Sequence, residues 1–143
     1  MINIIYQLPI RVYFEDTDAG GVVYYARYAA FYERARTEMW RQHGIDNQQL
    51  IQKNISFAVR KITVEYLLPA RLDEQLEVQS RLTLIRGASL SYAQQIVDIN
   101  GRVLNKADVV VACVDLQKMK PVALPGAVIE VLKRNESQQK EIL

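Results

Sequence analysis

Four successive segments between Ser56 and Leu116 read as strands, while one segment carries a long helical period. That imbalance constrains the fold more than any other feature. A sheet with one apolar face needs a cover, and the chain offers one long candidate. In "SFAVRKITVEYLL", Ile62, Val64, Tyr66 and Leu68 fall on one face and Lys61, Thr63 and Glu65 on the other, with Pro69 closing the run. "EQLEVQSRLTLI" repeats the alternation with Leu76, Val78, Leu82 and Leu84 on one side, and "RGASL" reads as a turn. "SLSYAQQIVDI" and "RVLNKADVVVACVDL" flank Asn100-Gly101, a hairpin signal, and the run "VVVACV" suits a central strand. An earlier strand is expected at about Ile10–Glu15, from "IRVYFED".

The helical period runs from about Tyr25 to His43. Tyr28, Phe31, Tyr32, Ala35 and Met39 form one apolar stripe, with Glu33, Arg34, Arg36 and Arg41 on the other side. Gly44 supplies the stop, and Asp46 is positioned to cap a short second helix, "NQQLIQK". "LPGAVIEVLKR" reads as a short last helix. The expectation is an α+β fold: a long helix against a five-stranded antiparallel sheet, one domain over 1–135 and a polar, flexible tail over 136–143.

Composition narrows the function. With 18 basic and 16 acidic side chains and no dense basic block, the chain is not built as a nucleic-acid binder. The single cysteine, Cys113, lies in an apolar run and reads as a small buried hydrophobe, and a single histidine, His43, argues against a zinc site. No signal peptide and no membrane span is evident, so a soluble cytoplasmic protein is expected.

The chemistry concentrates in "FEDTDAGGVVYYARYAAFYERAR", from Phe14 to Arg36. Its start resembles a calcium loop, but Gly20 and Arg27 stand where that loop needs its third oxygen ligand and its closing Glu. The chain has no G-x-G-x-x-G and no Walker sequence. A Ser-His-Asp arrangement would need His43, at the wrong end of the helix. Two readings of Asp16 and Asp18 remain open. They can serve as turn formers and caps at a helix start. Alternatively, unpaired N–H groups at that start can polarise a carbonyl while a carboxylate attacks its carbon or activates a water. A good leaving group such as a thiolate suits that chemistry.

"RVYFEDTDAGGVVYYARYAAFYERARTE", "FAVRKITVEYLLPARLDEQLEV", "RGASL" and "ACVDLQKMKPVALP" closely resemble the hotdog-fold thioesterases of the 4-hydroxybenzoyl-CoA thioesterase family. Within it, the nearest subgroup is the bacterial one associated with the Tol-Pal envelope system. The resemblance covers nearly the whole chain. It implies a hotdog fold and a hydrolase that splits acyl-CoA into free acid and CoA, with no separate cofactor and no metal. Acyl carrier protein is an alternative donor. The resemblance also implies dimers joined sheet edge to sheet edge, commonly paired into homotetramers with active sites at subunit interfaces, and a link to Tol-Pal or phospholipid synthesis.

By the same resemblance, Asp18 is the catalytic carboxylate, as nucleophile or general base, and the backbone N–H of Tyr25 is the oxyanion donor. The subgroup carries His where this chain has Tyr25, whereas the hydroxybenzoyl-CoA branch carries Tyr. Arg60, Lys61, Arg86, Lys118 and Lys120 are candidates to line the route of CoA's phosphates, and Ser89 to touch its pantetheine arm. Glu33, catalytic in some hotdog enzymes, reads here as part of an ion-paired E-R-A-R segment. Two other functions compete: a hydratase, which needs a well-placed His, and a binding or envelope-associated module with vestigial activity.

Overall fold

The computed structural model describes the backbone of residues 4–142 and the side chains of residues 4–135. Strand β1 (Ile5–Arg11) leads to a 3-10 turn (Phe14–Asp16), helices α1 (Arg27–Arg41) and α2 (Asn47–Gln52), then strands β2 (Ile55–Tyr66), β3 (Gln75–Arg86), β4 (Ser89–Asp98) and β5 (Val103–Asp115). A two-residue strand β6 (Lys120–Pro121) and helix α3 (Gly126–Ile142) follow. The sheet order is β1-β3-β4-β5-β2, every neighbouring pair antiparallel, with β6 attached to β5. This mixed architecture, a curled antiparallel sheet with helices against it, agrees with the α+β hotdog arrangement expected above. The tail expected over 136–143 lies outside the described side chains.

The helix stripe packs as its spacing requires. Tyr28, Phe31, Tyr32, Ala35 and Met39 are all buried, and α1 packs against β1 and β3. Gly44, at φ +81°, takes the left-handed conformation that ends the helix. Asp46 caps α2 by accepting from the Gln49 N–H at 2.8 Å. Strand β5 lies between β4 and β2, and Val109, Val111 and Cys113 face the core. Burial also pushes the Cys113 thiol pKa up, in keeping with an inert side chain.

Five details differ from the expectation. The first strand spans Ile5–Arg11, not Ile10–Glu15. It runs through Pro9 because β1 is a sheet edge, where a missing N–H costs no ladder bond. The sheet gains the sixth strand, β6. The helix starts at Arg27, two residues late, because Tyr25 and Ala26 form a turn. In β3 a register shift between Leu82 and Leu84 turns Leu84 outward, while Leu76, Val78 and Leu82 stay buried. Of the face expected in β2 and just beyond it, Val64 packs on the core while Ile62, Tyr66 and Leu68 are exposed, at the other edge of the sheet.

The core also holds polar groups. Tyr32 donates to Asn105 Oδ1 at 2.6 Å, Trp40 Nε1 donates to the Tyr92 hydroxyl at 2.8 Å, and Gln94 Nε2 donates to Ser80 Oγ at 2.8 Å. Burial pushes the Tyr92 phenol up to about 12, so it remains a neutral hydrogen-bonding group at physiological pH.

Candidate active site

The loop between β1 and α1 carries both aspartates, and they have different surroundings. Asp16 is buried. Its Oδ2 accepts from the Tyr13 N–H at 2.8 Å, and its Oδ1 accepts from Arg27 Nε at 2.9 Å and lies 2.7 Å from Arg27 Nη2. Its carbonyl accepts from the Tyr24 N–H. Asp16 thus ties the 3-10 turn to the first residue of α1.

Asp18, two residues on, is exposed. Its Oδ1 accepts from the Gly20 N–H at 2.9 Å, and its Oδ2 has no partner among the described residues. The loop is closed by backbone: Asp18 N–H donates to Val22 O, Gly21 N–H donates to Asp18 O, and Thr17 bridges Val23. Gly21, at φ +78°, makes the turn. Val22 in turn bridges Arg71, and the Val23 N–H donates to Ala70 O, anchoring the loop on the segment before β3.

Neither carboxylate caps the helix. Its N-cap is Ala26, which offers no side-chain acceptor, and the first turn contains no acid. The Tyr25 N–H makes no hydrogen bond among the described residues. The Tyr25 carbonyl accepts from the Tyr66 hydroxyl at 3.2 Å, which steadies this corner against the end of β2. The Tyr25 side chain is 63% exposed and leans on Tyr24, with ring centroids 4.7 Å apart. A cleft of about 250 Å³ opens here between Tyr25, Tyr28, Tyr66 and Leu68. The loop thus carries a part-free carboxylate at Asp18 and leads into an uncapped, electropositive helix start, and Asp18 does not line the cleft at Tyr25.

A family model described as the thioesterase-like superfamily matches residues 12–132. The chain belongs to that superfamily. It is 53% identical to the acyl-CoA thioester hydrolase YbgC of Escherichia coli O6:H1 over 134 residues, covering 94% of this chain and 100% of that protein. Against the acyl-CoA thioesterase YbgC of Haemophilus influenzae the identity is 46% over 124 residues, 86% of this chain and 90% of the relative. Among solved structures, a probable thioesterase from Bartonella henselae superimposes with a TM-score of 0.79 at 34% identity, over 85% of this chain and 99% of that one.

The other candidate residues of this superfamily member lie elsewhere. Arg86 and Ser89 face each other across the β3–β4 turn, and Ser89 pairs with Ala112 of β5. Lys120 pairs with Asp115, and Lys118 lies in the intervening turn, where its N–H donates to the Asp115 carboxylate. These four mark one end of the sheet. Tyr66 and Tyr25 mark the opposite end, since Ala58 pairs with Ala112 but Tyr66 pairs with Asn105. The strand length from Ala58 to Tyr66 puts about 25 Å between the ends. Arg60 and Lys61 are exposed midway along the free edge of β2, at its bulge. One chain therefore does not bring these residues to the Tyr25 corner.

Glu33 is exposed and forms no ion pair among the described residues, so the ion-paired reading of E-R-A-R is corrected. Arg36, read as a surface residue, is buried. Its position one residue after Ala35, beside the apolar stripe, is the sequence signal for that burial. His43 sits beyond the C-terminal end of α1, where burial and the nearby Arg134 lower its pKa. Among the described residues, no group of three or more His, Cys, Asp or Glu is arranged to hold a metal, and no helix is long and apolar enough to cross a membrane.

Proposed function

We propose that this protein hydrolyses acyl-CoA thioesters to the free acid and CoA, with Asp18 as nucleophile or general base and the Tyr25 N–H as oxyanion donor. The observation that carries the reading is the contrast between the aspartates: Asp16 uses both carboxylate oxygens for structure, whereas Asp18, in the same loop before the uncapped start of α1, keeps one free. The activity named for the Escherichia coli and Haemophilus influenzae relatives supports the reaction class.

The thioester carbonyl oxygen accepts from the Tyr25 N–H, which stabilises the negative charge that grows there. As a base, Asp18 takes a proton from water, whose oxygen adds to the acyl carbon. As a nucleophile, its own oxygen adds, giving a mixed anhydride that water then opens. In both routes the C–S bond breaks, the sulfur leaves as thiolate and is protonated, and the acyl group ends as a carboxylic acid. A thiolate leaves readily, so neither route needs the imidazole that the related subgroup carries at position 25.

The cations at the far end of the sheet meet this site through a second copy. Antiparallel pairing of two β2 edges would set Arg86, Ser89, Lys118 and Lys120 of one chain near Tyr25 and Tyr66 of the other. It would centre the contact near Arg60 and Lys61 and cover the exposed Val59 and Ile62.

An acyl-CoA panel with a thiol reagent tests the reading. Thiol release by the wild type is expected, and so is its loss in Asp18→Asn. Tight acyl-CoA binding with no turnover of any thioester would favour the binding-module alternative. Gly20 gives a finer check. A Cβ there would lie 3.3 Å from Asp18 Oδ1, so Gly20→Ala is expected to displace the carboxylate by a few tenths of an ångström. The expected result is a several-fold fall in kcat/KM with little change in Tm.

A further inference from the structure

A second cleft, of about 430 Å³, runs between α1 and β2. Its walls are mostly apolar, with Ala29 and Ala30 toward the helix start and Trp40, Phe57, Ile62 and Val111 further along. Ala29, Glu33, Arg36 and Trp40 follow one another at spacings of four, three and four, so they form one stripe leading away from the Tyr25 corner.

Arg36 stands in this wall and is 7% exposed. A guanidinium carries five N–H donors. Here Nη1 donates to Gln94 Oε1 at 2.9 Å, and the cation lies 5.9 Å from the centroid of the Tyr92 ring. Nε and Nη2 have no hydrogen-bond partner among the described residues, and no carboxylate pairs with the group. The one sealed, unpartnered side-chain nitrogen among those residues is Asn105 Nδ2, so Nε and Nη2 of Arg36 are not sealed, and Arg36 is part of the cleft's lining. Glu33 lines the same cleft beyond ion-pair distance. A buried cation with one neutral acceptor and no carboxylate within ion-pair distance is only partly compensated, and a ligand oxygen would add to its partners.

We propose that this cleft receives the acyl chain of the substrate, and that Arg36 selects chains bearing an oxygen acceptor, a hydroxyl or a carboxylate, near their far end. The proposal rests on the thioester-hydrolase reading above. From Ala26 to Arg36 the helix rises about 15 Å, so a chain joining a carbonyl at Tyr25 to an oxygen at Arg36 is of medium length. A short acyl group ends beside Ala29 and Ala30. A plain alkyl chain that reaches Arg36 strips water from the guanidinium and returns no acceptor. Glu33 can accept from a hydroxyl and repels a carboxylate, so the two kinds of oxygen are separable.

The test compares kcat/KM for hexanoyl-, octanoyl- and decanoyl-CoA with their ω-hydroxyl and ω-carboxyl counterparts, in the wild type, Arg36→Gln and Ala30→Leu. The wild type is expected to favour an oxygenated chain over its plain partner by about tenfold or more at the length that reaches Arg36. In Arg36→Gln that ratio is expected to collapse toward one. Ala30→Leu, which keeps Arg36 but narrows the cleft, is expected to shift the length profile toward short chains, and it serves if Arg36→Gln does not fold. Asp18-dependent turnover with equal rates for plain and oxygenated chains at every length overturns this inference alone. An oxygen preference that survives in Arg36→Gln, or a length profile unmoved by Ala30→Leu, also overturns it. Failure to turn over any thioester overturns it together with the reading beneath it.

Discussion

Asp16→Ala is expected to destabilise the fold by about 2–4 kcal/mol. The residue is 4% exposed and holds three groups at once: the Tyr13 N–H and both Nε and Nη2 of Arg27. Its removal leaves an N–H unpaired at the 3-10 turn and frees the first side chain of α1. Arg27 is partly exposed, so water recovers some of its loss, which keeps the figure below that of a fully buried pair. Urea unfolding checks this, with a lower midpoint and an unchanged slope. A midpoint equal to the wild type would mean that the loop is held by its backbone bridges alone.

Asp18→Asn is expected to do the reverse, lowering kcat by about 10²–10⁴-fold while leaving the urea midpoint nearly unchanged. An amide keeps the side chain's shape and can still accept from the Gly20 N–H through its oxygen. It can neither attack an acyl carbon nor take a proton from water. Because Asp18 is exposed and pairs with no cation among the described residues, its charge contributes little to folding. The two substitutions, two positions apart in one loop, should therefore separate stability from turnover.

Most of the fold was legible because its periods are clean. Tyr28, Phe31, Tyr32, Ala35 and Met39 pack as their spacing requires, and "VVVACV" sits in an interior strand. What misled was mostly edge chemistry. The first strand runs through Pro9, which an edge tolerates, and the alternation in β2 announces an apolar face of which Val64 packs on the core while Ile62 and Tyr66 stay exposed. Period alone cannot show whether a face meets the core or a neighbouring molecule. The bulge at Leu82 and Leu84 was equally hidden, since it shifts register without changing composition.

At the site, the sequence marked the right loop but could not apportion its acids. The deciding partner of Asp16 is the side chain of Arg27, eleven residues away, and no spacing rule links them. The reading of both aspartates as turn formers holds, since Asp18 accepts from the Gly20 N–H and Asp16 from the Tyr13 N–H, but neither caps α1, whose N-cap is Ala26. Arg36 escaped notice because charge suggests solvent, whereas here the side chain lies along Tyr92 and hydrogen-bonds Gln94 inside the cleft wall.

A crystal structure of Asp18→Asn with an unhydrolysed acyl-CoA bound tests the chemistry most directly. The account predicts the thioester oxygen about 2.7–3.2 Å from the Tyr25 nitrogen, with the side chain of residue 18 facing the acyl carbon directly or through one water. A thioester bound with its carbonyl turned away from Tyr25, and residue 18 out of reach of the acyl carbon, would contradict it.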